Sequence, residues 1–268
     1  MGAVAERSRG APDPAARSPL AFVVWLFVLS VPFWVAGAIV PASGVLPMGM
    51  PVSALQFVLP LVVAAALTYR REGRGGVAAL LRRTVSPGGR PVSWVVTAAL
   101  VPAMLAATYG IMLLAGEPPH GSHSPLVAVP VLLVVYVVAA GCEEAGWMGY
   151  AAEPLRRRWG PLTTGLLLGV VWAVWHVVGF VQADRTALWI AGQCLSTVAI
   201  RVLMVRLFDA TGGVVLTAIV VHTAVNVGQS TFPGYPEQAL PAVVFGLVSA
   251  FVAAVAVGLS ARRSPGRG

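Results

Sequence analysis

The sequence predicts an all-α fold, a polytopic transmembrane helical bundle of about eight spans with both termini cytoplasmic. Three observations carry this. The 268-residue chain is 57% hydrophobic and 10% charged, where a soluble domain has about 25% charged residues. Its apolar residues fall into runs that can cross about 30 Å of hydrocarbon as helices of about 20 residues. Its arginines gather in alternate gaps between those runs, which is the asymmetry that orients membrane proteins.

The elements follow in order. Residues 1–19, rich in Pro, Ala, Arg and Ser, read as a disordered cytoplasmic tail. Spans are expected near 20–40, 52–69, 92–115, 131–152, 164–184, 187–207, 212–230 and 239–260. The bundle thus occupies 20–262, and 263–268 form a second cytoplasmic tail. The first run is too long for the apolar part of a signal peptide and has no small-residue cleavage site after it, so it is expected to stay in the membrane. The runs near 164–184 and 187–207 almost touch, and a tilted or broken helix is expected there.

Orientation comes from the arginines. Arg7, Arg9 and Arg17 precede the first span, and six arginines from Arg70 to Arg90 separate the second from the third. Arg156, Arg157 and Arg158 follow the fourth, Arg206 ends the sixth, and Arg262, Arg263 and Arg267 close the chain. The gaps 41–51, 116–130 and 231–238 hold none, and the turn at 185–186 holds Arg185. Eight spans satisfy the positive-inside rule throughout, and seven would place one terminal cluster on the wrong side. The net charge of +8 is therefore a topology signal and not a nucleic-acid footprint. Membrane lipids are the implied partners, with the basic 70–90 loop against anionic headgroups. All 18 basic residues are arginine, a coding bias that carries no mechanism. Cys142 and Cys194 lie in apolar surroundings, so no disulfide framework is expected. No long internal repeat is visible, which counts against an inverted-repeat transporter.

The polar residues within the spans are few. Glu143 and Glu144 sit in "AAGCEEAGWMGY", His176 in "VVWAVWHVVGF", Arg201 in the sixth run, and His222 and Asn226 in "IVVHTAVNVG". A charge at bilayer depth costs at least about 2.5 kcal/mol, and such residues mark functional sites by default. His222 and Asn226 share a helical face, as do Trp172 and His176, because each pair is four residues apart. Adjacent glutamates diverge by about 100° on a helix, so one aims into a common pocket and the other sits at its edge. Glu143, His176, His222 and Asn226 are expected to line one cavity opening toward the cytoplasm. Gly165 with Gly169, and Gly146 with Gly149, are small residues that permit close helix approach.

Two chemistries fit these side chains. Glutamate and histidine can act as a general base and an electrophilic partner, with the Asn226 amide donating to a developing oxyanion. One carboxylate and two imidazoles, His176 and His222, also make a plausible Zn2+ shell with an open position. The plainer alternative is interhelical hydrogen bonding, with the glutamates paired to Arg201. The chain has no Gly-x-Ser-x-Gly, no His-Glu-x-x-His and no Gly-rich phosphate loop. His120 and His123, in "GEPPHGSHSP", read as an exposed loop.

The ordered set "EEAGWMGY", "WAVWH" and "HTAVN" resembles the three motifs of the CPBP intramembrane proteases, the CAAX prenyl endopeptidase and bacteriocin-processing (Abi) proteins. The resemblance covers about 131–230. It implies that Glu143 activates the attacking water and Glu144 supports the pocket. It further implies that His176, His222 and Asn226 hold a metal or stabilise the tetrahedral oxyanion. The implied function is an endopeptidase acting on a membrane-associated peptide or protein. The alternatives are a non-catalytic scaffold or bacteriocin immunity protein on the same fold, or a proton-coupled transporter. Two departures stand out. Trp172 replaces the commoner phenylalanine, which reads as a mild change. Met148 stands where the family has an arginine, and methionine cannot pair a carboxylate. Either Arg201 approaches Glu144, or Glu144 is protonated and Arg201 snorkels to the interface. If neither Arg201 nor a neutral Glu144 compensates, the scaffold without proteolysis is implied.

Overall fold

The computed structural model describes residues 17–40 and 46–262. These form α1 (Pro19–Ile39), a short 3-10 segment (Val52–Val58), α2 (Leu59–Val85), α3 (Pro91–Leu114) and α4 (Val129–Gly146). A π-helix (Trp147–Ala152) leads into α5 (Glu153–Gln182), followed by α6 (Ala187–Ala210), α7 (Val215–Thr231) and α8 (Ala239–Arg262). No strand occurs among the described residues. Six stretches are long and apolar enough to cross a membrane; one of them, Leu126–Gln182, contains both α4 and α5. At 17 residues, α7 is shorter than the others. The protein is an all-α, multi-pass membrane protein.

The helix starts have local causes. The Ser18 hydroxyl accepts the Ala21 N–H at 3.2 Å, and the Thr186 hydroxyl accepts the Trp189 N–H at 3.2 Å, each satisfying an otherwise orphaned amide. Helices α2 to α5 each carry proline in the first turn, where its missing N–H costs nothing. Pro32 and Pro102 lie inside α1 and α3, which neighbouring helices make tolerable in a membrane.

Two regions expected as arginine-rich loops are helical. Helix α2 continues to Val85 beyond a break at Gly73, and α5 begins at Glu153 ahead of a break at Gly160. Both glycines have positive φ, 67° and 74°, a conformation without steric cost only for glycine. Each break separates an arginine-bearing arm from an apolar helix. The tail expected at 1–19 lies mostly outside the described residues. Within it, Arg17 is buried and paired with Glu72 at 3.2 Å, so 17–19 are tied to the bundle.

Helix α6 is the centre of the fold. A Cβ on Gly165 would stand 2.7 Å from the Val202 Cα, and one on Gly169 would stand 2.9 Å from the Val198 Cα. The small-residue step on α5 thus seats it directly on α6. On the other side of α6, a Cβ on Gly192 would meet the Val243 backbone nitrogen of α8 at 2.6 Å. Gly146 does the same for α4 against the Pro60 carbonyl of α2 at 2.6 Å. Backbones this close gain dispersion contact that lipid cannot supply. A helix covered on both sides can hold a fully buried Arg201.

The two ends of the bundle differ in charge. Arg17–Glu72, Arg83 on the Gly149 carbonyl, and Arg156–Asp209 at 2.6 Å tie one end together. At the other end the Ser124 amide donates to the Ser230 carbonyl, Gln238 donates to the His120 carbonyl, and Arg185 reaches the Met48 carbonyl. Every arginine-rich segment among the described residues belongs to the first end, and the second carries Arg185.

Candidate active site

Glutamates 143 and 144 sit three and two residues before the end of α4, where the chain passes into the π-helix. All six π-helical residues are buried. Such bulges are rare and concentrate at functional sites. Divergence of the two side chains gives them different surroundings.

Glu144 is fully buried and aims at α6 and α7. Arg201 donates to both of its oxygens, at 2.5 and 3.1 Å, and the His222 Nδ1 lies 2.9 Å from Oε1. The fork of Arg201 matches the carboxylate bidentately, the strongest geometry open to such a pair. Of the two outcomes left open by Met148, the pairing is the one found: Arg201 does not snorkel. Met148 is itself fully buried.

Glu143 faces the cavity. Its Oε2 accepts the Trp172 indole N–H at 2.8 Å, and the His176 Nε2 stands 4.0 Å from the same oxygen. His176 Nδ1 lies 2.8 Å from the Trp172 carbonyl. A carbonyl only accepts, so this Nδ1 carries the proton and leaves Nε2 to the cavity. The Glu144 carboxylate fixes the His222 tautomer in the same way. Trp172 organises all of this. Its ring lies under the Arg201 guanidinium at 4.0 Å and meets the His176 and His222 rings edge-on at 5.4 and 5.0 Å. Its replacement of phenylalanine is therefore not mild, since a phenyl ring has no proton to give Glu143.

One cavity of about 200 Å³ is lined by Glu143, His176, His222 and Asn226, with apolar walls from α4 to α7 and the 46–57 segment. The four cavity residues read from the motifs are brought together; Glu144 is not among them and lies behind. Toward the arginine-poor end the lining includes Leu46, Pro47, Met48 and the buried Trp189.

The zinc expectation meets a geometric limit. Among the described residues no three His, Cys, Asp or Glu side chains are disposed to hold one metal ion. The residues present do not fit a three-ligand shell, and no step below is routed through a metal.

Polar residues not singled out by the motifs line the upper cavity. Gln193 of α6 and Gln229 of α7 exchange amide hydrogen bonds at 3.3 Å, and Gln229 and Gln193 both bond the Tyr235 hydroxyl, at 2.8 and 2.7 Å. Burial pushes the Tyr235 phenol well above its ordinary range. The signal was present: amides inside apolar runs, Gln229 three residues beyond Asn226.

The fold and site thus define a membrane-embedded helical bundle enclosing a carboxylate, two imidazoles and an amide in one apolar cavity. Residues 125–228 match the family described as type II CAAX prenyl endopeptidase Rce1-like, a match that supports the CPBP resemblance of the three motifs. A 48-residue stretch is 42% identical to CAAX prenyl protease 2 of Methanococcus maripaludis, covering 18% of this chain and 17% of that relative.

Proposed function

We propose that this chain is an intramembrane endopeptidase of the CAAX-processing type. In this reading Glu143 is the general base and His176, His222 and Asn226 steady the reacting carbonyl. The observation that carries it is the convergence of these four side chains on one cavity, with Glu144 held apart by Arg201. The separation of 4.0 Å between Glu143 Oε2 and His176 Nε2 is one that a single water can bridge. Glu143 takes a proton from that water as its oxygen attacks the scissile carbonyl carbon. The Asn226 amide donates to the oxyanion, as does an imidazole Nε2 when protonated. Glu143 then returns the proton to the leaving nitrogen as the C–N bond breaks.

Glu144 and Arg201 act through His222. The carboxylate holds Nδ1–H, and the guanidinium holds the carboxylate in place through two hydrogen bonds. The apolar cavity walls suit the side chains of a membrane-associated peptide.

The test is turnover. Purified protein in nanodiscs is offered quenched apolar peptides, with and without a prenyl group. Cleavage that disappears in Glu143→Gln, with thermal stability retained, supports the proposal. No turnover of any peptide by the natural protein overturns it and leaves a non-catalytic scaffold or immunity protein.

A further inference from the structure

We infer that Gln193 and Gln229 form a subsite that binds the backbone of one extended substrate residue beside the scissile bond. The peptide nature of that ligand rests on the protease reading above; the free hydrogen-bonding edge does not.

Hydrogen-bond capacity singles out this pair. A primary amide has two N–H donors and an oxygen with two lone pairs. The two side chains meet as a cyclic amide pair: Gln193 Nε2 donates to Gln229 Oε1, and Gln229 Nε2 donates to Gln193 Oε1, each at 3.3 Å. That ring uses one donor and one lone pair of each. On one edge of the ring the Tyr235 hydroxyl takes what is left. It accepts from Gln229 Nε2 at 2.8 Å and donates to Gln193 Oε1 at 2.7 Å. The opposite edge keeps one N–H of Gln193 and one lone pair of Gln229 Oε1, without a partner among the described residues. Tyr235 is fully buried, whereas both glutamines line the cavity and Gln193 is only half-buried. The edge away from Tyr235 is therefore the one turned to the cavity. A tie between α6 and α7 needs only the ring and the tyrosine, and the free edge is surplus to it.

The Tyr235 hydroxyl shows what such an edge takes: a group that accepts and donates on one side. A residue in extended conformation does this, because its own N–H and C=O project to the same side of the strand, as in the hydrogen-bonded pairs of an antiparallel ladder. A peptide that enters an apolar cavity of about 200 Å³ leaves water behind, and backbone groups buried without partners are costly. The free edge satisfies two of them at once. Gln229 lies three residues beyond Asn226 on α7, about 4.5 Å along the axis. An extended residue advances about 3.3 Å, so the bound residue is one or two positions from the carbonyl that Asn226 serves.

The experiment uses the natural protein in nanodiscs and an apolar peptide that it cleaves, free of side-chain hydroxyls that could fill the same edge. Outside the scissile bond, an ester replaces each backbone amide in turn, deleting one N–H, and a thioamide replaces each carbonyl in turn, weakening one acceptor. Both changes are expected to lower kcat/KM by about three- to ten-fold at one and the same residue. Gln229→Met is expected to abolish the ester penalty there, and Gln193→Met the thioamide penalty. Either variant that keeps its thermal midpoint serves, and a role confined to helix packing would alter neither penalty. No sensitive residue, penalties that fall on different residues, or equal penalties in the natural protein and a folded variant overturn the inference. If no peptide is cleaved, the protease reading fails, and fluorescence anisotropy of the same labelled peptides decides the subsite on its own. Paired penalties in Kd at one residue then uphold it, and their absence overturns it.

Discussion

Removal of Arg201 tests the electrostatic core of the site. Arg201 and Glu144 are both fully buried, and Arg201 supplies two of the three donors around that carboxylate. Arg201→Met leaves a buried charge held by the His222 imidazole alone. Stranding one partner of a buried pair costs roughly 3–5 kcal/mol. For a chain of this size, about 2–4 °C per kcal/mol makes the loss of thermal midpoint on the order of 10 °C. The assay is thermal unfolding in detergent. Arg201→Lys keeps the charge without the fork and is expected to fall between. The double variant Arg201→Met with Glu144→Gln strands no charge, so its loss is expected to be smaller than the sum of the single losses. Met148→Arg on the Arg201→Met background is expected to recover part of the midpoint by returning a cation four residues after Glu144. An unchanged midpoint for Arg201→Met would refute the reasoning, and an unchanged midpoint for Glu144→Gln would show that the carboxylate carries no charge that folding requires.

Three further outcomes are expected. Trp172→Phe keeps the ring and removes the donor to Glu143; a hydrogen bond to a charged group contributes about 1.5–3 kcal/mol of stability, so the thermal midpoint should fall by several degrees and kcat for peptide cleavage should fall as Glu143 loses its fixed position. Equal kcat in the two proteins would mean that Glu143 is positioned without the indole. Gly169→Ala places a Cβ 2.9 Å from the Val198 Cα and 3.2 Å from the Arg201 Cβ, and overpacking of this kind costs about 1–3 kcal/mol; a thermal midpoint equal to the natural protein's would show that α5 and α6 can part freely. Because no three ligand side chains converge among the described residues, peptide cleavage is expected to survive prolonged chelation, and elemental analysis of the purified protein decides the matter independently: stoichiometric zinc, lost together with activity, would show that the site rearranges around a metal.

The helices were legible because lipid imposes one rule on every span: backbone polar groups must be satisfied internally over about 20 apolar residues. The expected run at 131–152 became α4 plus the π-helix, and 239–260 became α8 at 239–262. The arms beyond Gly73 and before Gly160 were missed, because arginine content signals an interface without saying whether the interface is loop or helix. Among site residues, spacing put His222 with Asn226 and Trp172 with His176, since i,i+4 pairs on one helix are local geometry. What faces what across helices is not local. The Trp172 N–H on Glu143 and the Gln193–Gln229 pair depend on how α4 to α7 rotate against one another, and Gly165 and Gly169 set only the α5–α6 part of that rotation.

The two departures from the family motifs turn out to concern one object. Arg201 stacks on the face of Trp172 and donates to Glu144, while Trp172 donates to Glu143. Each carboxylate thus receives a donor from this stacked pair. Phenylalanine at 172 would keep the stack and leave Glu143 without its donor. Methionine at 201 would remove the cation that Met148 already fails to supply. A bundle that had only to span the bilayer would gain nothing from a buried ion pair, because well-packed apolar residues of similar volume are often as stable or more so. The pair instead fixes the His222 tautomer and stands directly behind the cavity floor. That placement is what a site requires and what a bare scaffold does not, and it makes the displaced arginine an argument for retained chemistry.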